Sequence, residues 1–339
     1  MMTEKVTSLQ VAERAGVSQS AVSRYFTPGG SVSKATAAKV KKAADELGYR
    51  PNVLARAMVS GRSRIIGLVI ADLKNQFYPM ALELLSRALQ ERDYQVLVFF
   101  AENSTESVEP VVQRLLDYQV DGIITASVAV SNHLTERCTA AGIPVVMFNR
   151  GQDDARLSSV TTDNVAGGRM AANFLVGGGH ERIAHIAGWQ GATTGRDRTL
   201  GFVEGLRDLG HEMVAMEDAM YDRDRAAEIA RTMFSGADRP DAVFVGNDYM
   251  AMSVMDVLRF ELGLSIPDDV SVLGYDDVPL AEWPTYQLTT IRQPVNRMVT
   301  ATVDALIDRI EGDIEPRQIL ISGSLKIRAS ARRPKGFTA

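Results

Sequence analysis

The sequence predicts two folded parts of different class: an all-α headpiece built around a helix-turn-helix, and a larger α/β core of two doubly wound parallel sheets. Three observations carry this. The first fifty residues hold three short helical patterns, each opened by a Ser or Thr cap. Beyond residue 64, fully apolar runs alternate with amphipathic helices, which implies parallel strands covered on both faces. Charge divides at the same place: residues 1–64 hold eleven Lys or Arg against four Asp or Glu, net +7, and the remainder holds 26 against 38, net −12. At 339 residues the chain also exceeds the usual size of one hydrophobic core.

In the headpiece, Thr7-Ser8-Leu9-Gln10 fits a capping box that opens a helix through Ala15, and Gly16 ends it. Ser18 caps a second helix, QSAVSRYF, after the very tight turn GVS. Ser33 caps a third, KATAAKVKKAADEL, with Val40, Ala43, Ala44 and Leu47 on one face and Gly48 at its end. Leu9, Ala12, Val17, Val22, Val40 and Leu47 suffice for one small core, and the first two helices with their short turn form the helix-turn-helix. Residues 51–64, PNVLARAMVSGRSR, read as a helix of about two turns with a very thin apolar side.

The core offers strands at 65–71, 95–101, 121–127, 144–149, 182–188, 242–248 and 270–276. Between most of them lie helical patterns, including PMALELLSRALQERD, ESVEPVVQRLLDYQ, NVAGGRMAANFLVG, GRDRTLGFVEGLRDLG and YMAMSVMDVLRFELG. So many elements call for two sheets side by side, and ligands of such sheets bind at the carboxyl ends of the strands.

Few features suggest covalent or metal chemistry. The single cysteine, Cys138, falls in a helical pattern and reads as packing. GGGH at 177–180 follows a helix and precedes a strand, the reverse of a phosphate loop, so it reads as a C-cap turn. His180 and His185 have no Cys or Glu at metal-site spacing and read as satisfied structural histidines. Adjacent Asp276 and Asp277 diverge, and Asp277 reads as a structural cap. No cofactor is implied. The opening MMTEKVTSLQ has no apolar h-region and no run of about 18 apolar residues occurs, so a cytoplasmic protein is expected.

The second headpiece helix is the candidate reader of DNA, against the alternative of an ordinary polar helix face. Val22 and Phe26 turn to the core, leaving Gln19, Ser20, Ser23 and Arg24, with the cap Ser18, to face the major groove. Lys34, Lys39, Lys41 and Lys42 supply positive charge for phosphates.

The run TSLQVAERAGVSQSAVSRYF, then VS, then LGYRPNVLARAM, resembles the headpiece and hinge of the lactose repressor (LacI/GalR) family of bacterial transcription factors. NRG at 149–151, RTLGF at 198–202, GNDYMA at 246–251, VSVLGYDD at 270–277 and LTTIRQP at 288–294 resemble its effector-binding core in the same order. The resemblance implies a headpiece at 1–50, a hinge at 51–63 and a periplasmic-binding-protein-like core at 64–339, with one lobe at about 64–163 and 291–322 and the other at about 164–290 and 323–339. It implies that two hinge helices meet on double-stranded, pseudo-palindromic operator DNA, where Met58, at the usual leucine position, wedges into the minor groove beside Asn52, Leu54, Ala55 and Arg56.

By the same resemblance, Arg198 clamps the effector, Asp276 and Asn247 bind its hydroxyl or amide groups, and Gln293 lies on a strand crossing between lobes. Asn149 stands where many members have aspartate, and Phe77, Phe148 and Trp283 are offered as apolar walls or as core. The expected protein is a homodimeric repressor, not an enzyme, switched by a small metabolite, with a sugar or sugar acid preferred over a purine. A solute receptor for transport and a sugar-modifying enzyme are the competing classes. The short polar tail IRASARRPKGFTA lacks the heptads of a tetramerisation coil, so a dimer is expected.

Overall fold

The computed structural model describes residues 6–27, 30–50, 62–101, 105–128, 132–152, 156–313 and 315–334. It divides at residue 64 into a headpiece and a core.

The headpiece holds α1 (Ser8–Ala15), α2 (Gln19–Phe26) and α3 (Lys34–Leu47). Each start is capped as its sequence implies. Thr7 accepts from the Gln10 N–H in a complete capping box, Ser18 accepts from Ala21 and Ser33 from Thr36. Gly16 and Gly48 end α1 and α3 in the left-handed conformation, at φ 64° each. Val11, Ala12, Val22, Val40, Ala43 and Ala44 form the core, with Val17, Phe26, Leu47 and Tyr49 packed against it. Leu9 corrects the sequence expectation: it is 52% exposed, while Val11, two residues and about 200° round the helix, is fully buried.

The core contains two six-stranded sheets. The first is built from β1 (Ile65–Ile70), β2 (Gln95–Phe100), β3 (Gly122–Ala126), β4 (Val145–Phe148), β5 (Ser158–Thr162) and β11 (Gln318–Ile321), in the order β11-β5-β4-β3-β1-β2. The second holds β6 (Ile183–Ala187), β7 (Ala215–Asp218), β8 (Ala242–Val245), β9 (Ser271–Asp276), β10 (Thr289–Arg292) and β12 (Ser324–Lys326), in the order β12-β10-β9-β8-β6-β7. All pairings are parallel except β12 against β10, which is antiparallel. The chain passes between the sheets after β5, after β10, and between β11 and β12.

Helices α4 (Phe77–Gln90), α5 (Thr105–Asp117), α6 (Asn132–Ala140) and α11 (Val295–Glu311) cover the first sheet. Its strands bury both faces: Ile66, Leu68, Ile70, Val146 and Phe148 enter one core, while Val69, Ile123, Val145 and Met147 enter another with Val112 and Leu115 of α5. The second sheet is covered by α7 (Asn164–Gly177) and α8 (Thr193–Asp208) on one side, and by α9 (Arg223–Phe234), α10 (Asp248–Asp256) and a π turn at Val257–Glu261 on the other.

Cys138 is buried among Val128, Val145 and Leu157, and burial pushes its thiol up to about 11. Gly178 and Gly179 end α7, with Gly179 at φ 79°. His185 is fully satisfied, Nδ1 at 2.8 Å from the Phe244 carbonyl and Nε2 at 3.0 Å from Thr199 Oγ1. His180 is not: it is buried with its Nδ1 3.4 Å from Asp241 Oδ1, and neither ring nitrogen forms an aligned hydrogen bond among the described residues. Asp277 caps no helix; it holds Arg292 at 2.5 Å and Arg328 at 2.6 Å, tying β9 to β10 and to the C-terminal segment.

Candidate functional site

In the headpiece, Ser18, Gln19, Ser20, Ser23 and Arg24 are all exposed on α2. Four are partly engaged. Ser18 Oγ caps α2 and lies 2.9 Å from Ser20 Oγ, while Gln19 Nε2 donates to Ser8 Oγ at 3.0 Å. Arg24 leans back on its own helix, Nε to the Ser20 carbonyl at 3.4 Å. Lys34, Lys39, Lys41 and Lys42 are exposed on α3. The hinge residues Asn52, Leu54, Ala55, Arg56 and Met58 lie outside the described residues.

In the core, a cleft of about 190 Å³ opens at the carboxyl ends of strands from both sheets. Ala71, Asp72 and Asn75 follow β1, Ser127 follows β3, and Asn149 and Arg150 follow β4; from the second sheet come Met220 and Tyr221 after β7, Asn247 after β8, and Asp276 at the end of β9. Tyr78, Ala192, Thr194 and Arg198 complete the lining. Ser127, Asn149, Met220, Tyr221 and Asp276 all have positive φ, from 57° to 126°. Left-handed backbone at five non-glycine residues concentrates conformational strain at the rim, where it turns each side chain off its strand into the cleft.

Arg198 is the most constrained group. Its Nε donates to Asn164 Oδ1 at 2.9 Å and its Nη1 to the Gly246 carbonyl at 2.7 Å, and Nη2 lies 3.7 Å from Asp276 Oδ1. Asp276 also accepts from Gln293 Nε2 at 2.7 Å and from Asn75 Nδ2 at 3.2 Å. Burial raises the Asp276 carboxyl above the usual carboxylate range, against the pull of Arg198 and these two amides. Behind it, Asp248 is fully buried, accepting from Thr290 Oγ1 at 2.6 Å and the Val278 N–H at 3.0 Å, and burial with the neighbouring Asp276 charge raises it further.

The structure brings Asn149, Arg198, Asn247 and Asp276 together at the cleft surface. Asn149 donates to Tyr78 Oη at 3.0 Å, and its Oδ1 is buried without a hydrogen bond among the described residues. Asn247 uses Oδ1 to cap α10 at the Met250 N–H, 2.9 Å away. Gln293 is placed one layer back: its amide bridges Thr162 Oγ1, at 2.6 Å, and Asp276. Phe77 and Phe148 are fully buried and stacked at 6.1 Å with 16° between planes, so they form core beneath the cleft rather than walls. Trp283 stands away from the cleft and is 56% exposed.

Sequence reasoning missed Asn75, Tyr78, Arg150, Thr194 and Tyr221 as cleft residues. Their signal was positional, since all but Thr194 and Tyr78 fall within five residues after a strand. Tyr221 packs its ring against Gly188 and donates to Thr194 Oγ1 at 3.2 Å. Arg150 lies over the ring of Trp189, 4.9 Å from its centroid, and Thr193 Oγ1 donates to the Gly151 carbonyl at 3.1 Å. These two contacts, with Asn75–Asp276, connect residues following strands of the first sheet to residues of the second.

Among the described residues there is no group of three or more His, Cys, Asp or Glu placed to hold a metal ion, and no helix long and apolar enough to cross a membrane.

Comparison with known proteins agrees with this division. Residues 9–52 match the bacterial regulatory proteins of the lacI family, and residues 172–331 match the periplasmic binding protein-like domain. The HTH-type transcriptional regulator CelR of Thermobifida fusca is 35% identical over 332 residues, spanning 94% of this chain and 96% of the relative. The ribose operon repressor of Escherichia coli K12 is 31% identical, spanning 96% of this chain and 99% of the relative. Among solved structures, the lac repressor dimer bound to operator and the anti-inducer ONPF superposes with a TM-score of 0.87 at 28% identity, covering 96% of this chain and 99% of that one. The CelR–cellobiose complex superposes with a TM-score of 0.73 at 32% identity, covering 96% and 100%. The capped helix-turn-helix, the paired parallel sheets and relatives matched over nearly their whole length place this chain in the lacI family of bacterial regulatory proteins, as a DNA-binding transcriptional regulator.

Proposed function

We propose that the protein is a homodimeric, cytoplasmic repressor without enzymatic activity, whose affinity for a pseudo-palindromic operator is switched by a sugar or sugar acid held in the cleft between the two sheets. The observation that carries the effector reading is the convergence of Arg198, Asp276, Asn247, Asn149 and Asn75 in one buried polar cleft. A guanidinium forks onto vicinal hydroxyls or a carboxylate, and amides and a carboxylate serve hydroxyls as donors and acceptors. A purine calls for a flat apolar slot, whereas Phe77 and Phe148 lie beneath the cleft. Among relatives, one is held in complex with cellobiose and another is a ribose operon repressor, while PurR repressors match at similar identity, so the sugar preference rests on the cleft.

Ser18, Gln19, Ser20, Ser23 and Arg24 read the major groove in this proposal. The hinge at 51–63 inserts Met58 into the minor groove, with Asn52 capping the segment and Leu54, Ala55 and Arg56 alongside. The core lobes run at about 64–163 with 291–322, and 164–290 with 323–339. The effector acts through its different affinity for two lobe arrangements, which favour or disfavour hinge pairing on DNA.

The test is a thermal-shift screen against sugars, sugar acids, polyols and purines, followed by operator binding with each hit. A specific ligand at a hundredfold excess over its Kd stabilises by about 2.7 kcal/mol. A sugar that raises Tm and changes operator affinity supports the proposal; a sugar that raises Tm and leaves DNA binding unchanged overturns the switch. Met58→Gly is expected to weaken operator binding strongly while effector binding survives, and unchanged operator affinity removes the wedge.

A further inference from the structure

We propose that Tyr275 is a positioning residue for the effector: the face of its ring, and not its hydroxyl, sets the plane of the Arg198 guanidinium. The inference rests on the effector-binding reading of the cleft given above.

Arg198 Cζ lies 3.6 Å from the centroid of the Tyr275 ring, closer than the approach of Arg150 to Trp189 at 4.9 Å. Both Arg198 and Tyr275 are buried, so the attraction of a cation for the ring face is little screened by water. The Tyr275 hydroxyl, by contrast, has no hydrogen-bond partner among the described residues. A buried hydroxyl left without a partner opposes folding, so the oxygen supplies nothing a phenyl ring lacks.

The surrounding backbone is cut to this stack. A Cβ on Gly167 would lie 2.6 Å from Tyr275 Oη, and one on Gly168 would lie 2.2 Å from the Arg198 carbonyl. Helices α7 and α8 therefore meet almost backbone to backbone, which brings Arg198 down onto the ring. Two guanidinium edges are already held, Nε by Asn164 and Nη1 by the Gly246 carbonyl. The ring fixes the remaining freedom, the tilt of the plane. That tilt decides whether Nη2, 3.7 Å from Asp276 Oδ1, can share a ligand oxygen with that carboxylate.

The experiment has a ligand arm and a ligand-free arm. Cellobiose and D-ribose are titrated calorimetrically into wild type, Tyr275→Phe and Tyr275→Leu. Phenylalanine is expected to keep affinity within about twofold, and leucine to lose roughly tenfold or more, the scale of a desolvated cation–π contact. Equal losses in Phe and Leu overturn the proposal, because the hydroxyl, which both variants lack, would then be responsible. If wild type binds neither sugar, the sugar reading is weakened and the ligand-free arm decides the stack. There, Tyr275→Leu is made in wild type and in Arg198→Met, and melting temperatures are compared. The Tm loss in the Arg198→Met background is expected to be less than half that in wild type; equal losses show no coupling and overturn the proposal.

Discussion

Asn75 and Asp276, 201 residues apart, join the two sheets across the cleft, Asn75 Nδ2 donating to Asp276 Oδ2 at 3.2 Å. The other carboxylate oxygen faces Gln293 Nε2 and the Arg198 guanidinium. Asp276 is therefore surrounded by donors, and Asp276→Asn turns one acceptor into an NH₂ that must face another donor. The change also removes the charge opposite a buried arginine. We expect Asp276→Asn to cost about 3 kcal/mol in urea denaturation and to weaken effector binding on the order of a hundredfold. Asn75→Ala, which removes one neutral donor, should cost only about 1 kcal/mol. Equal effects of the two substitutions would show that the charge is not what matters.

The packing of α7 on α8 is a second point where small chemistry has a large consequence. A Cβ on Gly201 would stand 2.0 Å from the Val165 carbonyl, a backbone atom that cannot swing aside. By helix propensity alone, Gly201→Ala should stabilise by up to about 1 kcal/mol. We expect the opposite sign, a loss of about 2 kcal/mol or more from overpacking, seen as a lower midpoint in denaturation. An unchanged or raised midpoint would mean that the helices separate freely.

How much of this was legible in the sequence depends on how local the determinant is. The headpiece caps were readable because Thr7, Ser18 and Ser33 act on N–H groups three residues away. Buried strands such as IIGLVI announced themselves as apolar runs. Strands β5 (SSVTT), β7 (AMED) and β11 (QILI) did not, since β5 is polar yet fully buried between neighbours, while β7 and β11 are short and half exposed. Helices α9 and α11 were passed over as well, although both carry a clear apolar face. The cleft follows the same rule. Arg198 and Asp276 could be named from motifs, but Asn75, Tyr221 and Arg150 become cleft residues only when two sheets meet. Phe77 and Phe148 stayed open between wall and core in the sequence, because a lone aromatic near the carboxyl end of a strand reads alike whether it faces a ligand or another ring.

His185 gives a pH signature that belongs to folding. Burial lowers its pKa to about 4, even with the Phe244 carbonyl as hydrogen-bond partner. An unfolded histidine titrates near 6.5, so between about 6.5 and about 4 the unfolded state binds more protons than the native one. Stability from this group is therefore fully present above about pH 6.5, is lost as pH falls through that window, and levels off below about 4. The full effect is about 3 kcal/mol. His185→Phe, which keeps the stack on Phe244, should flatten the difference in Tm between pH 7 and pH 5 relative to wild type. The comparison is of slopes, because the variant also removes one partner from the Phe244 carbonyl and one from Thr199 Oγ1, which keeps Gln190 Nε2.

The headpiece makes a prediction about two kinds of positive charge. Arg24 is exposed on α2 beside Ser20 and Ser23, on the face proposed to enter the major groove, whereas Lys42 sits on α3 outside that helix. A side chain that reads a base edge contributes to discrimination, while one that meets a phosphate contributes equally on every sequence. With an operator selected from a random duplex pool, Arg24→Ala should cost about 1–3 kcal/mol and relax preference at one base pair of each half-site. Lys42→Ala should weaken binding similarly on operator and random DNA and lower the slope of log K against log salt by about one. If Arg24→Ala weakens all sequences alike and leaves the selected consensus unchanged, α2 is not read through Arg24. Base recognition would then have to rest on the hydroxyl and amide groups of Gln19, Ser20 and Ser23, of which Gln19 and Ser20 are already hydrogen-bonded within the headpiece.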